Sequence, residues 1–219
     1  MSEMKKKSVG RPKTLDRQKI IDIAFTEYWI HGIHNVPLST IAQLAEVSRP
    51  GIYKEFGGED DLKAEVLKKY IKVSAEPVHN NYDNYKKYPN HLMNHLDALI
   101  NDGNKYLTNN PNYTKFRPKN SIGCLLQRST ISKYKLGPAS KKIINDFEKI
   151  RLKQFEKYIK NAQKDGVFYK DIDSNFYAKY IYTQFSVIQT LRLNGTPKAD
   201  IKNIVNTALK PLMQKEKSI

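Results

Sequence analysis

The sequence contains one cysteine, Cys124, among 219 residues. No internal disulfide can form, and the absence of CxxC and Cys/His finger spacings excludes a zinc-finger architecture. Long apolar runs are also missing: even Ile20 to Phe25 is interrupted by Asp22, far short of the roughly 18 residues of a membrane span, so no membrane partner is expected. No apolar segment follows the basic Lys5-Lys6-Lys7 cluster, so a secretory leader is not expected and the chain is read as cytoplasmic. G-x-S-x-G, H-E-x-x-H, P-loop and Rossmann signatures are all absent, and on that ground neither an enzyme nor a cofactor is expected. Acidic residues are scarce, 22 against 38 Lys and Arg, for a net charge of +16. Such a balance suits a polyanionic partner or an anionic ligand. Its distribution does not locate one, because residues 1–75 carry 13 basic and 10 acidic side chains and most of the excess lies further on. Compositional drift accounts for that excess as well as design does.

What the sequence does have is helical periodicity. Residues 1–13 are polar and basic, punctuated by Gly10 and Pro12, and read as a flexible arm. From Asp16, Ile21, Ala24, Phe25 and Tyr28 fall at i, i+3, i+4 and i+7, predicting a helix over about 16–31 with Gly32 as its stop. Leu38, Ile41, Ala42 and Ala45 repeat the spacing over barely two turns. Ser48 then offers an N-cap for a third short helix, with Pro50 in its first turn and Ile52 and Phe56 on one face. Gly57-Gly58 ends it. Glu59, Asp60 and Asp61 open a fourth helix, favourably placed against its positive terminus, that extends toward Pro77. Further helices are expected at about 89–109, 121–134, 138–166, 173–194 and 198–214, with joints at Pro89, Asn109-Asn110-Pro111, Gly137-Pro138, Gly166 and Gly195-Thr196-Pro197. No strand alternation persists, so the fold class is all-α with about nine helices.

Two short helices joined by a tight turn and preceded by a packing helix form a helix-turn-helix, whose second helix enters the major groove. Residues 10–72 resemble the amino-terminal domain of the TetR family of bacterial transcriptional regulators. The resemblance rests on Gly10-Arg11-Pro12, Ile20 to Phe25, Tyr28-Trp29, Gly32, Leu38, Ile41-Ala42, Val47 to Tyr53, Phe56-Gly57 and Leu62. It implies a DNA-binding domain over 14–74 and a helical effector-binding and dimerisation domain over 75–219. Ser48, Arg49, Pro50, Gly51, Tyr53 and Lys54 would then meet double-stranded operator DNA, with Arg49 and Lys54 on phosphates or guanine and the Tyr53 hydroxyl on a phosphate. Gly51 permits either close approach to DNA or tight packing. Ser39 and Thr40 either touch phosphate or cap and solvate the second helix, and Arg11 and Lys13 either enter a minor groove or stay in a solvated tail. Three positions depart from the family pattern. Pro37 replaces a capping Ser or Thr, Glu46 the turn glycine, and Glu59 a lysine that often touches phosphate.

Beyond residue 75 the resemblance is looser. Gly123-Cys124-Leu125-Leu126 matches subgroups in which Val-Asn follows, whereas here Gln127-Arg128 follows. Tyr106, Phe116, Cys124, Gln127, Arg128 and Phe185 are candidates to line a pocket for an unidentified small-molecule effector. Cys124 is either a sensing thiol, activated by Arg128 one turn away, or a small buried hydrophobe. His91 and His95, at i and i+4, have metal-sharing spacing, but no nearby Glu completes a motif and no metal is assigned. By the resemblance, the last two helices pair with those of a second copy, so Tyr180, Ile181, Ile188, Ile204, Val205 and Ala208 are candidates for a homodimer interface. The leading expectation is a ligand-responsive homodimeric repressor on a pseudo-palindromic operator. The alternative is a basic architectural or partner-recruiting DNA-binding protein without small-molecule input.

Overall fold

A computed structural model describes residues 15–77, 90–101 and 111–212. The expected arm with Arg11 and Lys13, and also Tyr106, lie outside the described residues. Ten α-helices, nine of them of seven residues or more, and no strand are found among those described.

Helix α1 (Arg17–His31) starts where the Asp16 carboxylate accepts from the Lys19 N–H at 3.0 Å and stops at Gly32. It buries Ile20, Ile21, Ala24, Phe25, Tyr28 and Trp29. Helices α2 (Leu38–Ala45) and α3 (Arg49–Phe56) follow the expected spans closely. The turn between them relies on Glu46, which adopts the left-handed conformation at φ 58° and ψ 39°. The Val47 N–H then reaches Ala42 O at 3.0 Å, closing the helix end as a glycine would. Helix α4 (Glu59–Tyr70) continues into a π-helical turn, Ile71–Ala75, where the Glu76 N–H bonds to Ile71 O. Winding thus changes before Pro77 rather than breaking at it.

The body comprises α5 (Asn90–Ile100), α6 (Pro111–Phe116), α7 (Leu125–Ile131), α8 (Pro138–Lys164), α9 (Ser174–Leu193) and α10 (Lys198–Leu209). Helix α6 was not expected, since Asn109-Asn110-Pro111 reads as a joint; proline suits a first helical position and starts a helix there. Helix α7 is shorter than the predicted 121–134. Gly123 sits at φ +64°, outside helical geometry, and the chain turns helical only after Cys124, whose thiol caps the Gln127 N–H at 3.4 Å.

Two apolar cores result. The first joins α1–α4 with Ala98, Leu125, Leu126, Leu136 and Ile144; the second joins α5, α8, α9 and α10 through residues such as Leu96, Ile159, Tyr177 and Ile181. The division expected near residue 75 falls where the chain is still helical, and the first core runs across it. A polar clamp adds to this continuity. Asp60 on α4 accepts from the backbone N–H groups of Gly137 at 3.0 Å, Ala139 at 2.8 Å and Ser140 at 3.3 Å, capping α8 from another element. The Ser140 hydroxyl returns a bond to Asp60 O at 3.1 Å. The sequence placed Asp60 at the start of its own helix, where its neighbour Glu59 pairs with Lys63 at 2.6 Å. A Cβ at Gly137 would lie 2.4 Å from the Asp60 Cγ, so glycine is required for the carboxylate to reach the helix end.

Two predictions follow from these joints. Replacing Glu46 by Gly relieves a left-handed side-chain penalty of order 1 kcal/mol, and thermal unfolding should show a Tm higher by about 2–4 °C. For Asp60, partial burial opposes ionisation but the bonds from Ser140, Ala139 and Gly137 outweigh it and hold the carboxyl below its ordinary value. A lowered folded-state value means that the stabilisation is complete above the unfolded value near pH 4 and is lost as pH falls through the folded one. Asp60→Ala should cost about 1 kcal/mol at neutral pH, a difference that shrinks below about pH 4 in urea unfolding followed across pH.

Candidate functional site

The outer face of α3 is left free by what its inner face does. Ile52 and Phe56 are buried, and the Ser48 hydroxyl accepts from the Gly51 N–H at 3.1 Å to cap the helix. Arg49, Pro50, Tyr53 and Lys54 are exposed, the tyrosine to 44% despite its size. Ser48 keeps its hydroxyl proton for a second partner. Gly51 is half-buried, and a Cβ there would meet Leu15 and the Ser48 oxygen at 3.2 Å. Tight packing therefore accounts for this glycine. At the start of α2, Pro37 supplies no side-chain cap, and Ser39 is exposed while Thr40 is partly covered. Together these elements present cations, hydroxyls and an uncapped helix N-terminus, which is donor chemistry suited to phosphate. Glu59, which stands where the family often has a phosphate-touching lysine, pairs with Lys63.

A second site lies in the body. Residues of α5 (His95, Leu99), the start of α7 (Cys124, Leu126, Gln127), α8 (Phe147, Arg151) and α9 (Tyr182, Phe185, Ile188, Gln189) enclose a cavity of about 60 Å³. Cys124, Gln127 and Phe185 were anticipated there. Two other candidates are corrected. Phe116 packs on the first core with the Lys69 ammonium 5.8 Å from its ring. Arg128 turns toward α1, its Nη1 donating to Trp29 O at 2.8 Å and Ile30 O at 3.4 Å, because terminal helix carbonyls lack partners within the helix. Burial pushes the Cys124 thiol up from its ordinary value, outweighing the bond from Tyr70 and the charge of Arg151. The thiol is a small packed group that caps α7 and is not an activated thiolate.

Sequence reasoning missed Arg151, His95 and Gln189 as cavity residues, although a signal existed. Gln184 and Gln189 interrupt the apolar stripe Ile181, Phe185, Ile188 on α9, and Arg151 interrupts Ile144, Phe155, Tyr158 on α8. All three are at most 6% exposed. Arg151 donates to Gln154 at 3.0 Å and stacks over the Phe155 ring at 4.8 Å. His95 stands edge-on to Phe185 at 5.0 Å, and burial, with the Arg151 charge, holds its pKa well below the usual value. It is a neutral wall residue at neutral pH. The side chain of His91 lies outside the described residues, and no group of three potential metal ligands occurs among those described. Gln189 Oε1 accepts from the Cys124 N–H at 3.0 Å, while its Nε2 has no partner.

The expected dimer positions divide. Ile181, Ile188 and Val205 are at most 1% exposed and belong to the protomer's own core, since α9 packs on α5 and α8, and α10 on α5 and α9. Ile204 is 43% exposed, and Tyr180 donates to Ala208 O at 2.8 Å between the two helices. Phe176, 58% exposed, stacks on Tyr180.

Comparison with known proteins adds to this geometry. No protein-family model matches the chain. It is 30% identical over 97 residues to the HTH-type transcriptional repressor ComR of Escherichia coli (strain K12), a match covering 44% of this chain and 46% of that repressor. The match thus spans less than half the length of this curated relative. Among solved structures, the TetR-family transcriptional regulator CifR, a cysteine mutant complexed with 26-base-pair double-strand operator DNA, has a TM-score of 0.67 at 17% identity. That likeness covers 93% of this chain and 100% of CifR. A TetR-family regulator from Cytophaga hutchinsonii has a TM-score of 0.68 at 15% identity, covering 91% and 96% of the two chains. At these identities the likeness is one of fold, and the fold is that of the TetR family. No described helix is long and apolar enough to cross a membrane.

The joint between the two sites generates a stability prediction. Gly123 is at φ +64°, and a Cβ there would stand 2.1 Å from the Gln189 oxygen. Gly123→Ala should therefore destabilise the protein by about 2–4 kcal/mol, combining left-handed strain with overpacking, read as a lower urea midpoint.

Proposed function

We infer that this chain is a TetR-family transcriptional regulator that reads operator DNA through α3. The observation that carries the reading is the exposed Arg49, Tyr53 and Lys54 face on a capped second helix of a helix-turn-helix, within a fold shared along nearly the full chain with a regulator solved on operator DNA. Arg49 and Lys54 supply charge for phosphate or guanine, and Tyr53 and Ser48 donate hydroxyls. Ser39 and Thr40 add donors at the start of α2, and Arg11 and Lys13 belong to the arm assigned to the neighbouring groove.

The regulator acts as a homodimer, so that two α3 helices face successive major grooves of a pseudo-palindromic site. The face formed by Phe176, Tyr180, Ile204 and Ala208 supports this, because it is an apolar surface spanning the last two helices. Its sign is repression, and a small effector held in the body shifts the population toward a conformation in which the two heads no longer fit the groove spacing. The body cavity and its bonded connection to α1 support that input.

Fluorescence anisotropy on the intergenic DNA beside the coding region, against scrambled DNA of equal length across several salt concentrations, tests the reading. Specific binding should persist as salt rises, with two chains per site. Arg49→Ala or Tyr53→Ala should reduce specific affinity by about 10-fold or more, the range for losing 1–3 kcal/mol at a base or phosphate contact, with Tm unchanged. Equal affinity for both DNAs, collapsing together with salt, would reject operator reading in favour of an architectural protein.

A further inference from the structure

The cavity in the body offers hydrogen-bond donors in a largely apolar enclosure. Gln189 is 3% exposed and lines it, with Oε1 held by the Cys124 N–H and Nε2 left as a donor without a partner. A buried amide N–H₂ in that condition is costly unless something accepts from it. Arg151, also 3% exposed, brings a guanidinium to the same wall, and none of the residues described as lining the cavity is acidic. Leu99, Phe147, Phe185 and Ile188 add carbon to the lining, beside the polar side chains of His95, Gln127 and Tyr182. A single water needs at least about 10–15 Å³ of such space, so a cavity of about 60 Å³ admits only a very small molecule.

The same amide also touches the route to the DNA-reading head. Residues 123 and 124 are bonded on both sides: the Cys124 N–H to Gln189, and Gly123 O to the Trp29 indole N–H at 2.9 Å. Arg128, one turn into α7, holds the carbonyls that end α1. A ligand that draws Gln189 toward itself pulls on the Gly123–Cys124 peptide and through it on α1, the helix against which α2 packs.

We propose that the cavity binds a short-chain monocarboxylate of two to four carbons, its carboxylate received by Gln189 Nε2 and Arg151 and its alkyl end by Phe185 and Ile188, and that Gln189 passes occupancy to Trp29. The proposal rests on the ligand-responsive reading above and names the ligand class for it.

Trp29 is the one tryptophan in the chain, so intrinsic fluorescence reports the far end of this route. The full chain is titrated with acetate, propionate and butyrate at fixed pH and ionic strength, against acetamide, propionamide, butyramide and sodium chloride. Expected is a saturable change in Trp29 emission and a Tm rise of about 3 °C at ten times Kd for the best carboxylate, with neither for the amides or chloride. Arg151→Gln and Gln189→Met should each raise Kd at least 10-fold, and Tm without ligand shows whether each variant folds. The wild-type titrations decide the proposal even if both variants unfold. Amides that bind as well as their acids, or no binding by any acid, overturn the ligand class. A Tm rise without change in Trp29 emission overturns the route through Gly123. Carboxylate binding that moves Trp29 yet leaves operator affinity unchanged supports the site and rejects the ligand-responsive regulator on which it rests.

Discussion

The structure depends on how the carboxyl end of α1 is fastened to the body. That end carries carbonyls without helical partners, and the body meets them with a guanidinium: Arg128 reaches Trp29 O and Ile30 O, while the Trp29 indole returns a bond to Gly123 O. Trp29 is fully buried against Phe25 and Tyr70, edge-on to both rings at 5.3 and 4.8 Å. An indole in this position contributes apolar area and a directed bond at once, which ring packing alone would not give. Gly123 must then present its carbonyl to Trp29 and its following N–H to Gln189, and its positive φ is the backbone geometry at which it does so.

A second fastening joins α4 to α8. Asp60 caps α8 from within α4, so the helix leaving the amino-terminal helices is tied to the longest described helix of the body by charge-assisted bonds. With the first core running across the same boundary through Leu125, Leu136 and Ile144, head and body share polar joints as well as an apolar surface. The body thus meets α1 and α4 through packed and bonded contacts rather than through a linker alone. In the proposed regulator, small displacements at these joints would be carried to the far end of rigid elements.

The two candidate sites follow opposite rules. On α3, burial of Ile52 and Phe56 commits one face, and the cations and hydroxyls of the other stay in water, where phosphate can compete for them. In the body, Arg151, Gln189 and neutral His95 are removed from water, so each polar atom gains selectivity for what it meets because mismatch is expensive. The first arrangement supports contact with a long polyanion; the second supports discrimination among small molecules.

Much was legible in the sequence. The periodicity of Ile21, Ala24, Phe25 and Tyr28, the Ser48 cap and the glycine stops specify α1 to α3 nearly to the residue, because they act through local backbone bonds and the 3.6-residue repeat. The outward set of Arg49, Tyr53 and Lys54 follows from the same geometry. Tertiary structure alone decided where Arg128, Asp60 and the interior face of α9 are spent. Arg128 looks like a neighbour of the Cys124 thiol but reaches α1, Asp60 looks like the cap of its own helix but caps α8, and Ile181, Ile188 and Val205 look available to a partner but fill the protomer. In each case the period shows that a side chain has a face, while the identity of the group opposite depends on elements up to about 100 residues away. Local bonds can be read in order along a chain; partners chosen by packing can be known only once the chain has closed on itself.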